Sequence, residues 1–274
     1  DADRFYPVFA SALATVLLLQ VLSNYANDLG DAENGADGAE RADRAVASGR
    51  ISPQAMRRAV VGLAVLAFAA GIGTVWLALA GTGLMLPALA IIAAGVGGIY
   101  AAYSYTAGRN PYGYRGLGDL MVLVFFGWVG VAGTAFLVSG QWEWSWLLPG
   151  TFTGALSVAV LNLNNMRDHE RDLEAGKRTL VTRMGFERAK RYHWALLAVG
   201  WAALIAFTNG VEAGAWRGML WIAVLGLVHL KHALLVGQTQ RPQTLDPELK
   251  KVALSTAVVA LFLFLAATRT PLLP

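Results

Sequence analysis

Long apolar runs separated by polar connections dominate the chain. A bilayer core of roughly 30 Å takes about 20 mostly apolar residues per helix. Eight segments meet that length, at 5–27, 56–80, 84–107, 117–139, 144–167, 188–209, 215–237 and 247–269. No stretch shows the strict apolar/polar alternation of a membrane barrel strand, so the pattern predicts an all-α, polytopic transmembrane bundle. The connections fall into two sets. Those near 81–83, 140–143 and 210–214 are short and carry no Lys or Arg, whereas 28–58, 108–116, 167–191 and 231–251 carry five, two, eight and four. Alternate connections thus hold 19 of the 22 basic residues, and the positive-inside rule assigns them to the cytoplasm. With eight spans both ends lie outside. Because the chain starts at Asp1 without a methionine, a further span upstream is expected, which would return the N-terminus to the cytoplasm.

Composition agrees with this picture and narrows it. Of 274 residues only 15% are charged and 56% are hydrophobic, with a mean hydropathy of +0.49. Soluble domains carry about 25% charge, so an integral membrane protein is expected. The lack of cysteine excludes disulfide staples, zinc-thiolate centres and thiol nucleophiles. A net charge of +4 invites a nucleic-acid reading, but the basic residues follow membrane topology, so no nucleic-acid partner is expected.

The polar residues that remain are unevenly placed. Asn24, Asn27 and Asp31 stand at i, i+3 and i+7, while Asn164, Asp168 and Asp172 stand at i, i+4 and i+8, so each set lies on one helix face. Asn27 to Asn164 and Asp31 to Asp168 are both separated by 137 residues, half the chain. This weak repeat suggests one transmembrane domain over 1–274, built as two four-helix halves of about 1–140 and 141–274. Each polar set begins inside an apolar span and leaves it at the cytoplasmic end.

Polar groups there are expensive in lipid and normally face a cavity or a partner. Carboxylates gathered together repel one another unless cations sit among them. Magnesium suits such a place, because it takes oxygen ligands and binds through one or two carboxylates plus phosphate oxygens. A plainer reading makes both sets solvated helix ends paired with Arg41, Arg44, Arg167 and Arg171. Two sets at repeat-equivalent positions favour the metal. Lys177 and Arg178, across a glycine from Asp172, and Arg44 supply cations suited to a diphosphate. His169, His193, His229 and His232 lack metal-ligand spacing and are assigned local helix-end roles.

Together these motifs resemble the UbiA superfamily of membrane prenyltransferases. The resemblance is carried by Asn27-x3-Asp31-x5-Asp37 and Asn164-x3-Asp168-x3-Asp172, the family's two aspartate-rich motifs. Within it, the stretches Leu22 to Asp31, Asn164 to Asp168 and Ala175 to Leu180 resemble the 1,4-dihydroxy-2-naphthoate polyprenyltransferase branch of menaquinone biosynthesis. So does Tyr114-Arg115-Gly116-Leu117-Gly118-Asp119-Leu120. The branch more often has Glu at the place of Asp119. The family usually has nine helices, its first motif following the second, so the helix expected upstream of Asp1 corresponds to the family's first.

The resemblance implies Mg²⁺-dependent transfer of a polyprenyl group from its diphosphate to 1,4-dihydroxy-2-naphthoate, with loss of CO₂, at a site opening to the cytoplasmic side of the cell membrane. It implies Asp28, Asp31, Asp37, Asp168 and Asp172 as metal ligands. Asn24, Asn27, Asn164, Asn165, Arg44, Lys177 and Arg178 are implied around the substrate. Tyr103 and Tyr114, in a cluster with Tyr100, Tyr105 and Tyr112, either shield the developing cation or anchor at the interface. Asp119 either orients the acceptor or pairs with Arg115. The rivals are prenyl transfer to 4-hydroxybenzoate or homogentisate, and a transporter with acidic sites at its cytoplasmic end. A CDP-alcohol phosphotransferase is disfavoured, since its compact Asp-Gly-x2-Ala-Arg signature is absent.

Overall fold

A computed structural model describes residues 2–36, 44–108, 110–209 and 216–269 of the chain. Helices α1 (Ala2–Glu33), α2 (Pro53–Leu79) and α3 (Met85–Ser104) come first. The fourth apolar segment comprises α4 (Gly118–Val122), a π-helix over Leu123–Gly133, and α5 (Thr134–Ser139). Helix α6 (Leu147–Glu174), the short α7 (Leu180–Met184), α8 (Phe186–Asn209), α9 (Trp216–Gln238) and α10 (Asp246–Arg269) complete the chain. Among the described residues there is no strand, and every one of the expected apolar segments is helical. The fold is the all-helical polytopic bundle that the pattern predicts.

Among the described residues, five segments are long and apolar enough to cross a membrane, at Arg4–Glu33, Pro53–Leu79, Met85–Ser104, Gly118–Ser139 and Trp144–Glu174. Helix α8 opens with Glu187, Arg188, Lys190 and Arg191, and α10 with Asp246, Glu248, Lys250 and Lys251, so in each the charged residues precede the apolar run. In α9 the described part, Ala223–Gln238, is apolar as well. The outer surfaces confirm the solvent: Val61 and Val65 on α2 and Leu86 on α3 are exposed by 59%, 62% and 79%, a display that water would penalise and lipid tolerates.

The π-helix is a departure from the single regular helix expected over 117–139. It lies where Gly127 packs backbone to backbone on Gly154 of α6, and where the Trp128 indole donates to the Thr151 hydroxyl at 3.0 Å. Wider turns of this kind are rare and usually mark a local packing or functional demand.

Two compact units emerge. The first comprises 1–121, 132–143 and 171–179, and the second 122–131, 144–170 and 180–274. In the first unit, Leu22, Ala26 and Leu29 of α1 pack on Met56 and Val60 of α2. The Thr74 hydroxyl meets Ser11 at 2.8 Å and Thr15 at 3.1 Å, the interhelical polar contact that lipid-embedded helices favour. Helix α2 starts cleanly because Ser52 caps it, accepting from the Ala55 amide at 3.2 Å, with Pro53 in the first turn. In the second unit, Phe152, Leu156, Leu163 and Met166 of α6 form a core with Leu197, Leu204, Val236, Val252 and Val259.

Candidate active site

Helix α1 outlasts its apolar stretch by one polar turn and a half, which carries Asp28 and Asp31 on the helix itself. Its end is clamped to the turn after α3. A Cβ on Gly30 would lie 2.5 Å from the Thr106 carbonyl carbon, so only glycine allows this approach. Asn34 then donates to the Thr106 carbonyl at 2.7 Å, and the Thr106 hydroxyl donates to the Ala26 carbonyl at 3.3 Å. These contacts fix where Asp31, only 3% exposed, presents its carboxylate.

Three donors converge on that carboxylate. The Tyr114 hydroxyl donates to Asp31 Oδ1 at 3.1 Å, the Lys177 ammonium donates to the same oxygen at 3.3 Å, and the Arg44 guanidinium stands 3.9 Å from Oδ2. Lys177 reaches this point because α6 ends at Glu174 and Gly176, just beyond it, takes the left-handed conformation at φ 71°. The chain turns back there, and the Lys177 amide bonds to the Asp172 carbonyl at 2.7 Å. The Lys177 ammonium also lies 3.9 Å from Asp172 Oδ1 and 5.2 Å above the Tyr114 ring. The Arg178 amide donates to the Tyr114 carbonyl at 3.1 Å, which ties the 112–115 turn to the same loop. One buried ammonium therefore bridges two buried carboxylates drawn from the two polar sets.

This donor set fits a hard divalent cation. Asp31 and Asp172 offer only oxygen ligands, and the side-chain amide oxygen of Asn27, Oδ1, one turn before Asp31, is buried without a hydrogen-bond partner. Among the described residues no group of three or more His, Asp and Glu converges as a ready cage. Magnesium does not require one, since it usually keeps waters and borrows phosphate oxygens.

The second unit holds a separate group. Arg167 grips both oxygens of Asp168 at 2.9 and 2.8 Å and donates to Asn164 Oδ1 at 2.6 Å, and its remaining edge pairs with Asp246. The ion-paired reading of helix ends thus describes part of this geometry, as it does for Arg44.

The chain has relatives among known proteins. The UbiA prenyltransferase family matches residues 2–254. The chain belongs to the UbiA prenyltransferase family. It is 37% identical over 254 residues to a 1,4-dihydroxy-2-naphthoate octaprenyltransferase of Haemophilus influenzae, covering 92% of this chain and 81% of that one. The proteins of the same name from Escherichia coli and Mycobacterium tuberculosis are 39% and 37% identical over 258 and 257 residues, covering 90% and 91% of this chain and 80% and 81% of theirs. No solved structure matches. The enzyme class expected from the motifs, a membrane-embedded aromatic prenyltransferase, is met, and the protein is a multi-pass membrane protein.

For a UbiA-family chain, the placement of the remaining motif residues is informative. Asp28 turns to its own loop, its two oxygens accepting from the Ala45 and Val46 amides at 2.9 and 3.4 Å. Asp119 is buried in the first turn of α4, where helix amides favour a carboxylate. Asn165 is buried, whereas Asn24 and Arg178 are exposed. Of the tyrosines, Tyr100 and Tyr103 face outward, 70% and 41% exposed. Tyr105 and Tyr112 form an edge-to-face pair at 5.5 Å, and burial pushes the Tyr112 phenol up to about 12. Only Tyr114 meets a motif carboxylate through a contact described above. Asp37 lies outside the described residues.

The histidine assignment needs correction. His169 is local, with Nδ1 3.1 Å from the Met166 carbonyl, but the other three sit deep in the second unit. His193 and His232 face each other through Nε2 at 2.8 Å, His232 Nδ1 meets Glu248 at 2.6 Å, and Lys251 pairs with Glu248. His229 Nε2 meets the Ser255 hydroxyl at 2.8 Å. The i, i+3 spacing of His229 and His232 put them on one face of α9, but their partners arrive from α8 and α10, beyond the reach of local spacing.

Proposed function

We propose that the protein transfers a polyprenyl group from its diphosphate to 1,4-dihydroxy-2-naphthoate, with loss of the ring carboxylate as CO₂, in a Mg²⁺-dependent step of menaquinone synthesis. The observation that carries this reading is the Asp31–Lys177–Asp172 group: two buried carboxylates on different helices around one buried cation, with Arg44 alongside. Aromatic prenyl transfer is supported by the relatives, whose names give the naphthoate as acceptor.

Mg²⁺ held by Asp31 and Asp172 would supply charge neutralisation for the departing diphosphate, and Asp168, of the same sequence motif as Asp172, is read as a metal ligand in its own unit. Lys177 and Arg44 bind diphosphate oxygens, since both already stand beside Asp31. Tyr114 holds Asp31 in one orientation through its hydroxyl. The surrounding apolar helices exclude water, which would otherwise quench the allylic cation as the C–O bond weakens. The head group is delivered from the cytoplasmic side of the cell membrane, the side that carries the basic connections.

The test is incubation of the purified protein with Mg²⁺, a polyprenyl diphosphate and either 1,4-dihydroxy-2-naphthoate or 4-hydroxybenzoate. Prenylated, decarboxylated product from the naphthoate, lost on chelation with EDTA and restored by Mg²⁺, is the expected result. Product from 4-hydroxybenzoate alone would reject the acceptor, and full turnover in EDTA would reject the metal.

A further inference from the structure

The guanidinium of Arg167 is divided among three side chains. Nε and Nη2 take the two oxygens of Asp168, Nη2 also takes Asn164 Oδ1, and Nη1 takes the Asp246 carboxylate. The Arg167 and Asp168 side chains are largely withdrawn from solvent, 21% and 12% exposed, while Asp246 is 66% exposed. Asn164 and Asp168 belong to the second polar set. Asp246 belongs to no motif and opens α10.

A carboxylate with both oxygens on one guanidinium has its best lone pairs committed. A divalent cation seeking Asp168 competes with Arg167 for those same oxygens. The outcome depends on what else the guanidinium can hold. Asp246 holds the far edge of Arg167, so the arginine retains one anionic partner when Asp168 is withdrawn. Without the Asp246 carboxylate, Asp168 is the only anionic side chain left among these three partners, and its release costs more.

We propose that Arg167 is the resident counter-cation of Asp168, which a divalent metal must displace, and that Asp246 is a positioning residue that sets how readily the displacement occurs. The proposal rests on the reading of Asp168 as a metal ligand. It makes a prediction of opposite signs, which mere loss of structure does not produce. Asp246→Asn weakens metal binding, and Arg167→Gln strengthens it.

The experiment is a titration of the solubilised full chain with Mn²⁺, followed by electron paramagnetic resonance and competed with Mg²⁺, in the absence of substrates. Asp246→Asn is expected to raise the apparent metal dissociation constant about threefold, the scale of a largely exposed ion pair. Arg167→Gln is expected to lower it by at least that factor, and Asp246→Glu, which keeps the charge, to restore the parent value. The Mg²⁺ concentration for half-maximal turnover should move in the same order as the affinity for Asp246→Asn and Asp246→Glu. Parent affinity in both Asp246→Asn and Arg167→Gln, with Asp168→Asn clearly weakened, overturns the displacement while leaving the metal site intact. Parent affinity in Asp168→Asn as well overturns the metal assignment itself.

Discussion

Asp31 with Lys177 in the first unit and Glu248 with His232 in the second are both buried contacts between a carboxylate and a nitrogen, yet they are satisfied in contrasting ways. Around Asp31 the donors stand at 3.1, 3.3 and 3.9 Å, and a buried acceptor on Asn27 one turn away has no partner. Along the histidine ladder the contacts close to 2.6 and 2.8 Å, and each links helices of one packed core. Long charge pairs beside an unserved acceptor can be exchanged for a ligand's atoms at little loss. Short, directional ones hold helices together, and a buried pair broken on one side leaves an uncompensated group. Burial of charge alone therefore does not separate a reaction site from a structural lock; the slack in the contacts does.

Substitutions can break that contrast, and the largest effect belongs to Asp31. Asp31→Asn should lower prenyl transfer by about a thousandfold, the upper scale for removing one charge-stabilising group, while the purified protein keeps its thermal midpoint. A variant that turns over normally would remove Asp31 from the reaction. Glu248→Ala should do the reverse, costing about 3 kcal/mol of stability as a broken buried pair while turnover per folded molecule persists at low temperature. Differential scanning fluorimetry in detergent alongside an activity assay separates the two. Lys177→Met should reduce turnover about thirtyfold, as expected for a lost charged hydrogen bond of about 2 kcal/mol, with Lys177→Arg recovering part of it. Equal losses in both would show that the length of the lysine, not its charge, is what matters. The smallest change is Tyr114→Phe, which removes one neutral donor from Asp31 and should cost about fivefold, read as a change in kcat at saturating substrates.

Much of this architecture is legible in the chain. Apolar runs of span length locate every long helix, because in lipid the backbone must satisfy itself and helices are the simplest way to do so. The i, i+3, i+7 and i, i+4, i+8 sets foretell that α1 and α6 continue past their apolar stretches with one polar face. Residues 123–133 were not legible as a π-helix, since a shift in hydrogen-bond register follows from the packing of Gly127 on Gly154 rather than from composition. Within the site, Asp31, Asp172, Lys177 and Arg44 are all foreseeable from their motifs. The bridging of Asp31 and Asp172 by a single lysine depends on the turn at Gly176 and on contacts 146 residues apart in the chain. Asp246 and the histidine ladder carried no signal for the same reason: each partner lies on a different helix, and one chain without its folded neighbours does not say which helices meet.

Asp28 illustrates how the two requirements overlap in a single motif. Its carboxylate fastens the backbone at Ala45 and Val46, the residues directly after Arg44. A replacement there unties the segment that delivers a diphosphate-binding cation, so inactivity at position 28 has an explanation by mechanical linkage as well as by lost ligation. A mutational scan that scores only product would rank Asp28 with Asp31. Pairing Asp28→Ala with Arg44→Ala separates them: if the two losses fail to add, Asp28 works as the hinge pin of the arginine's arm.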